Sequence, residues 1–400
     1  MNLSINIRTI AEVALFMAFL FVPHALLASL GLYFPKLRVD PANGTEFFIG
    51  LLCTFAFFIT FILSLASGGI GRVRLAEQIL ALEKRTSFKF LMVGTTIFLF
   101  LLLAIGVGGK QSTSQLNFII RIFPREMILI LATLAAVVTL RRAWIILVVI
   151  NILYWVLVGS KASLFFVAST VIFVHSFERW PIRGKHLFWG ATMVVALPLS
   201  FMIAMGLRLG IYPLEFFRLI SSSPEALISF LGRILMRVSW FDGMLLTAVD
   251  AEPLQKLTVL DLFEITASRL LPGISATQEP LGQQVIYLFQ AIDLQNFTGA
   301  VGMPGVLKIF YYNHGILGLT TLLLLIFICF YFLARMMVSR KVIIATTGFS
   351  VFIVAMSSLI ISGNIDSALG KSIPIMITGF FFQGIFRLLF TKPQYRVGAS

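Results

Sequence analysis

Long apolar runs broken by short polar connections set the pattern of this chain. Runs long enough to cross a bilayer fall at Ile10–Leu32, Phe47–Ser67, Phe90–Gly108, Met127–Leu140, Ala143–Val158, Ala162–Phe177 and Leu187–Met205. Three more follow at Gly315–Leu333, Val342–Ser362 and Ile373–Phe390. The pattern predicts an all-α, polytopic membrane protein of about ten transmembrane helices. The first run is too long for a signal-peptide core and has no convincing cleavage site, so it reads as a helix. Between the seventh and eighth runs the apolar pattern stops. The expected organisation is residues 1–208 for helices one to seven, 209–312 for one long external segment, and 313–400 for helices eight to ten.

Within that segment Ser223-Pro224-Glu225 is a helix start: serine caps, proline fits the first turn, and the carboxylate suits the positive end of the dipole. The apolar positions Leu227, Phe230, Leu231, Ile234, Leu235 and Val238 place the helix that follows against the membrane or another helix. A second helix is expected from about Thr258, with Asp261 as its box partner, to Pro272-Gly273. Long ordered connections are uncommon without a function, so this segment is where recognition or chemistry is expected.

Composition agrees with a membrane protein. Of the 400 residues, 59% are hydrophobic and only 12% charged, against about a quarter charged in soluble domains. Mean hydropathy is +0.98. The net charge of +14 is accounted for by basic loops facing an anionic leaflet rather than by nucleic-acid binding. With the N-terminus inside, the cytoplasmic loops collect Arg72, Arg74, Lys84, Arg85 and Lys89, then Arg141-Arg142, then Arg179, Arg183 and Lys185. Arg335, Arg340 and Lys341 follow. Both termini are therefore expected in the cytoplasm and the long segment outside. Cys53 and Cys329 sit in apolar runs and supply neither a disulfide framework nor a cysteine-rich metal site.

The candidate chemistry is sparse. Arg233 and Arg237 lie one helical turn apart on one face, where two guanidiniums repel unless an anion sits between them. A diphosphate suits them, because arginine offers a planar fork of donors and stays charged when partly desolvated; a solvated basic stripe is the alternative. Arg208, at the outer end of the seventh helix, either joins them or anchors the interface. Lys161, in the corner Gly159-Ser160-Lys161, either reaches a phosphate or only marks the corner. Asp242 points off the arginine face unless Gly243 breaks the helix. His314 follows Tyr311, Tyr312 and Asn313 where the eighth helix is expected to open, and a helix start is a natural anion site. Histidine there suits a general base or a hold on a sugar hydroxyl; a plain interfacial cap is the alternative. His24 reads as a core or interface residue of the first helix, and His175 and His186 are expected near the cytoplasmic face. Asp250 and Glu252 read as a polar turn rather than a metal pair. No Walker sequence or glycine-rich nucleotide loop is present, and no cofactor or metal is expected.

Several blocks together resemble the bacterial O-antigen polymerase (Wzy-type) family. They are the Arg141-Arg142 link, Gly159-Ser160-Lys161 before a helix, and Gly206-Leu207-Arg208 opening the long segment. Next come Gly232-Arg233, Arg237-Val238-Ser239 and Asp242, then Gly302-Met303-Pro304-Gly305 leading to Tyr311-Tyr312-Asn313-His314-Gly315-Ile316-Leu317-Gly318. The resemblance covers most of the chain as architecture more than as sharp motifs. It implies a metal-independent GT-C-like membrane glycosyltransferase of the bacterial inner membrane that joins polyprenyl-diphosphate-linked oligosaccharide repeat units outside the cytoplasmic membrane. Arg208, Arg233, Arg237 and Lys161 would hold the diphosphate, Tyr311, Tyr312 and Asn313 the sugar, and His314 or Asp242 would act as the base. Expected partners are membrane lipid and a chain-length regulator and flippase of the same pathway. Histidine near the position of His314 is a feature of the related O-antigen ligases, which transfer glycan to lipid A-core. A lipid-linked oligosaccharide flippase is the reading from another class; it predicts inverted repeats and charges within helices at mid-membrane, whereas these apolar runs are nearly free of charge.

Overall fold

The computed structural model describes residues 44–107, 117–160, 162–178, 210–227, 259–271, 302–361 and 365–390, with isolated positions between them. Among these residues every regular element is helical. The chain runs α1 (Gly44–Gly68), a 3-10 turn (Ile70–Arg72), α2 (Leu75–Glu83), α3 (Thr86–Ala104), α4 (Asn117–Ile122), α5 (Arg125–Thr139), α6 (Arg142–Leu157) and α7 (Ala162–Glu178). It continues with α8 (Pro213–Ser221), α9 (Val259–Leu270), α10 (Gly302–Met337), α11 (Val342–Met356) with a π-helical extension (Ser357–Ile361), and α12 (Ile365–Phe390). The expected runs Ile10–Leu32 and Leu187–Met205 lie outside the described residues, apart from isolated positions of the second.

Four helices among the described residues are long and apolar enough to cross a membrane: α1, α3, α10 and the α11 stretch Val342–Leu359. α6 and α7 are apolar but shorter. At about 1.5 Å per residue, the 15 residues of α5 fall short of a hydrocarbon core of about 30 Å. This helix is buried almost all round rather than facing lipid.

Large apolar side chains cover one face of each long helix on the outward surface. On α1, Phe48, Leu52, Phe55, Ile59 and Leu63 are exposed at helical spacing, while Cys53, Phe57, Phe61 and Leu65 are buried on the other face. α3 repeats the arrangement with Phe90, Val93, Ile97 and Leu101 outside, and α10 with Leu324, Ile328 and Phe332. Exposed apolar surface on this scale is compatible with a membrane-embedded bundle.

Helices in lipid gain little from excluding water, so packing has to hold them together. α11 is the centre, contacting α5, α7, α10 and α12. Glycines set the close approaches: Gly348 of α11 lies against Met336 of α10, and Gly379 of α12 against Thr347 of α11. An aromatic cluster fills the middle, with Phe61 edge-on to Phe330 at 5.0 Å and Phe352 edge-on to Phe173 at 5.1 Å.

α1 and α10 run in the same direction. Glu46 meets Lys308 near both starts, and Gly68 meets Ala334 near both ends. A β-carbon on Gly68 would collide with the Ala334 side chain and stand 2.9 Å from the Tyr331 carbonyl, neither of which can rotate away. Gly68→Ala is therefore expected to lower stability by about 1–3 kcal/mol. Gly94 has nothing within 4 Å of its would-be β-carbon, so Gly94→Ala should be neutral or stabilising by up to about 1 kcal/mol. Thermal unfolding of both variants in one detergent tests the pair; equal Tm values would contradict the packing argument.

Two helix boundaries differ from the hydropathy pattern. In α10 a helical stretch from Gly302, inside the segment read as external, precedes the run expected from Gly315, with a break at Gly315 between them. α12 begins at Ile365 rather than Ile373 and carries Pro374 inside it. Both extensions bring charge into helices, with Lys308 in α10 and Asp366 and Lys371 in α12. The helices are thus less free of charge than the apolar runs suggest.

Candidate functional site

The tyrosine–histidine block sits at a break in α10. Gly315 adopts φ 65° and ψ −159°, which separates a stretch ending at His314 from the long apolar stretch that follows. Glycine makes that backbone accessible without steric cost. His314 ends one helical stretch and directly precedes the start of the next at the Gly315 break. Its ring packs 5.8 Å from Phe310, and its β-carbon lies against Gly318. His314 is exposed, while Tyr311, Tyr312 and Asn313 are half-buried.

What holds this block is a pair of charges that the sequence reading missed. Lys308 is fully buried, and its ammonium donates to the Glu46 carboxylate at 2.7 Å and to the Glu46 backbone carbonyl at 2.8 Å. The Tyr312 hydroxyl donates to the same carboxylate oxygen. The ammonium also lies 5.7 Å from the centre of the Tyr312 ring. One carboxylate at the start of α1 thereby fixes two side chains one turn apart on α10. Tyr312 is engaged within the protein, which leaves Tyr311, Asn313 and His314 as the members of the block with less internal commitment. The available signal was a lone lysine in the apolar run Val306–Tyr312, a cost in a membrane helix that calls for a partner.

A buried carboxylate, Glu83 of α2, pairs with Arg141 at the start of α6 and with Lys89 of α3 at 3.5 Å. Nearby, the Gln78 side chain donates to the Ser339 carbonyl at 2.9 Å. These contacts collect the basic connections 72–89, 141–142 and 339–341 at one end of the bundle.

Of the segment expected outside, the structure describes α8, the Ser223 turn, α9 and the start of α10. Ser223 caps as expected, its hydroxyl accepting from the Ala226 N–H at 3.1 Å. The Glu225 carboxyl is held below its ordinary range by hydrogen bonds, first from its own backbone and then from the Ser223 side chain. α8 was not anticipated, although Pro213 and Glu215 in its first turn are good starting residues. Phe216 and Ile220 of α8 pack with Phe230, giving that expected apolar position a partner. α9 matches the expected helix from about Thr258 to Pro272-Gly273, and it packs against α4 and α12. Arg208, Arg233, Arg237, Asp242 and Lys161 lie outside the described residues.

Comparison with family models, with curated proteins and with solved structures returned no match.

Proposed function

We propose that this chain is a membrane glycosyltransferase that polymerises polyprenyl-diphosphate-linked oligosaccharide repeat units at the outer face of a bacterial cytoplasmic membrane. The observation that carries the reading is the block Tyr311–Gly315. It combines aromatic, amide and imidazole groups at an exposed helix break, and the Glu46–Lys308–Tyr312 bonds anchor Tyr312 within it. Anchored presentation of polar groups is what hydroxyl recognition and general-base work require. His314 serves as the base toward the acceptor hydroxyl, with Asp242 as the other candidate. Arg233 and Arg237, with Arg208 and Lys161, compensate the charge that develops on the departing diphosphate. Capsule or exopolysaccharide repeat units suit the same chemistry as O-antigen units.

The exposed His314 favours a second reading, the O-antigen ligase, in which the acceptor is lipid A-core. One experiment separates them. In a strain lacking the chain, loss of the glycan ladder with a single repeat retained means a polymerase, whereas polymer accumulating unattached means a ligase. A wild-type glycan profile would remove both.

Topology is tested separately. Reporter fusions after Arg85 and Arg183 should report cytoplasm, and a fusion after Glu252 the outside. A cytoplasmic signal at Glu252 would eliminate the external site.

A further inference from the structure

α9 turns apolar side chains outward. Leu260 and Phe263 are 76% and 59% exposed. Leu271, whose N–H donates to the Ala267 carbonyl and extends the last turn, is 51% exposed. Positions 260, 263, 267 and 271 fall on one helical face, so the three large side chains form one stripe with Ala267 between them. On the other side Ile265 and Thr266 are buried, and Ile265 belongs to the main core. A helix on an aqueous surface keeps its apolar stripe for the core and faces water with charged and polar residues. α9 is apolar on both sides.

Its polar side chains are committed within the protein. The Glu264 carboxylate, one turn after Leu260, accepts from the Thr277 N–H at 2.6 Å and from the Thr277 hydroxyl at 3.2 Å. The Ser268 hydroxyl donates to the Ile265 carbonyl at 2.8 Å. Asp261 and Thr266 have partners within the protein as well. A helix that satisfies its polar groups internally while leucine and phenylalanine face out suits a medium that offers no hydrogen bonds.

The neighbours of α9 point to that medium. α9 packs against α12 and α4, and both carry exposed apolar residues of their own, Phe380 and Phe381 on α12 and Ile122 on α4. A second copy of the chain fits less well, since three side chains fall far short of the roughly 20–30 residues a side of a stable protein interface. With 12 residues at about 1.5 Å each, α9 spans about 18 Å. That is short of a hydrocarbon core of about 30 Å, so the helix can enter a bilayer but not cross it. We propose that α9 is a membrane-embedded, non-crossing helix whose stripe Leu260, Phe263 and Leu271 lies in lipid hydrocarbon. The segment expected outside is then anchored in the bilayer beside α12 rather than held wholly in water. The proposal goes beyond the glycosyltransferase reading and does not depend on it.

The test is spin-label accessibility in the full-length protein reconstituted in phospholipid nanodiscs. Cys329→Ser removes the exposed native thiol, and Cys53 is buried. On that background Leu260→Cys, Phe263→Cys and Leu271→Cys each carry one nitroxide. Ile97→Cys, on the outward face of α3, is the lipid reference, and Lys84→Cys, exposed between α2 and α3, is the water reference. All five side chains are exposed, so labelling leaves the packing of the helices intact. Oxygen concentrates in hydrocarbon and a nickel chelate stays in water. The ratio of oxygen to nickel collisions at all three α9 sites should match that at Ile97→Cys and exceed that at Lys84→Cys. A ratio like that of Lys84→Cys at the α9 sites overturns the proposal and puts the helix in water. Few collisions with either reagent overturn it too, and mean that protein, from this chain or a second copy, covers the stripe.

Discussion

Glu46→Gln should destabilise the protein by about 3–5 kcal/mol, the cost of breaking a buried ion pair by removing one partner. The remaining ammonium of Lys308 is fully buried and has no route to water that would restore its solvation. Lys308→Met should cost less, because the Glu46 side chain keeps 16% exposure and can recover some hydration. The double variant, with a neutral amide facing a thioether, should recover much of the loss, since no uncompensated charge remains. Apparent Tm values of the four proteins in one detergent give the comparison. A pair that matters little would show single variants unfolding with the wild type. Additive losses in the double variant would mean that the two charges act separately.

The same pair shows where reading the chain stopped. Glu46 and Lys308 are 262 positions apart, and no local pattern links them. Each is visible as a charge beside an apolar run, but the partner is fixed only when α1 and α10 align in the same direction. Locally determined features were legible. Hydropathy placed α1 at Phe47–Ser67 against Gly44–Gly68, and the Ser223 cap formed as its chemistry required.

Hydropathy failed where helix and apolar run stop coinciding. Asp366 and Lys371 end the apolar pattern at the start of α12, yet backbone hydrogen bonding continues through both. In α10 the apolar pattern starts at the Gly315 break and conceals the helical stretch before it. The short α2 and α4 lie in connections that a search for long runs passes over. α5 was expected as a span from its apolar run, and its residues are almost all buried within the bundle. For the site, the tyrosine–histidine block was legible as a motif. Its anchoring by Glu46 and Lys308 depends on packing between helices and was not.

Arg233→Ala and Arg237→Ala should each abolish polymer while the protein still inserts in the membrane. The expectation rests on their spacing in the sequence: one turn apart, two guanidiniums share a face and repel unless an anion lies between them. In glycosyl transfer from a diphosphate, negative charge grows on the leaving group as the sugar–oxygen bond breaks. A donor aimed at that charge acts mainly in the transition state. Removing one should cost roughly 2.7–4 kcal/mol, about 10²–10³ in rate, by analogy with oxyanion-hole donors. Lysine should rescue poorly at either position, because a point charge cannot reproduce two parallel N–H···O bonds. Arginines on a solvated stripe would lose almost nothing on substitution. Glycan ladders of both alanine variants, compared at matched membrane levels, decide between these outcomes. Normal ladders from both would retire the pair and leave Arg208 and Lys161 to hold the diphosphate.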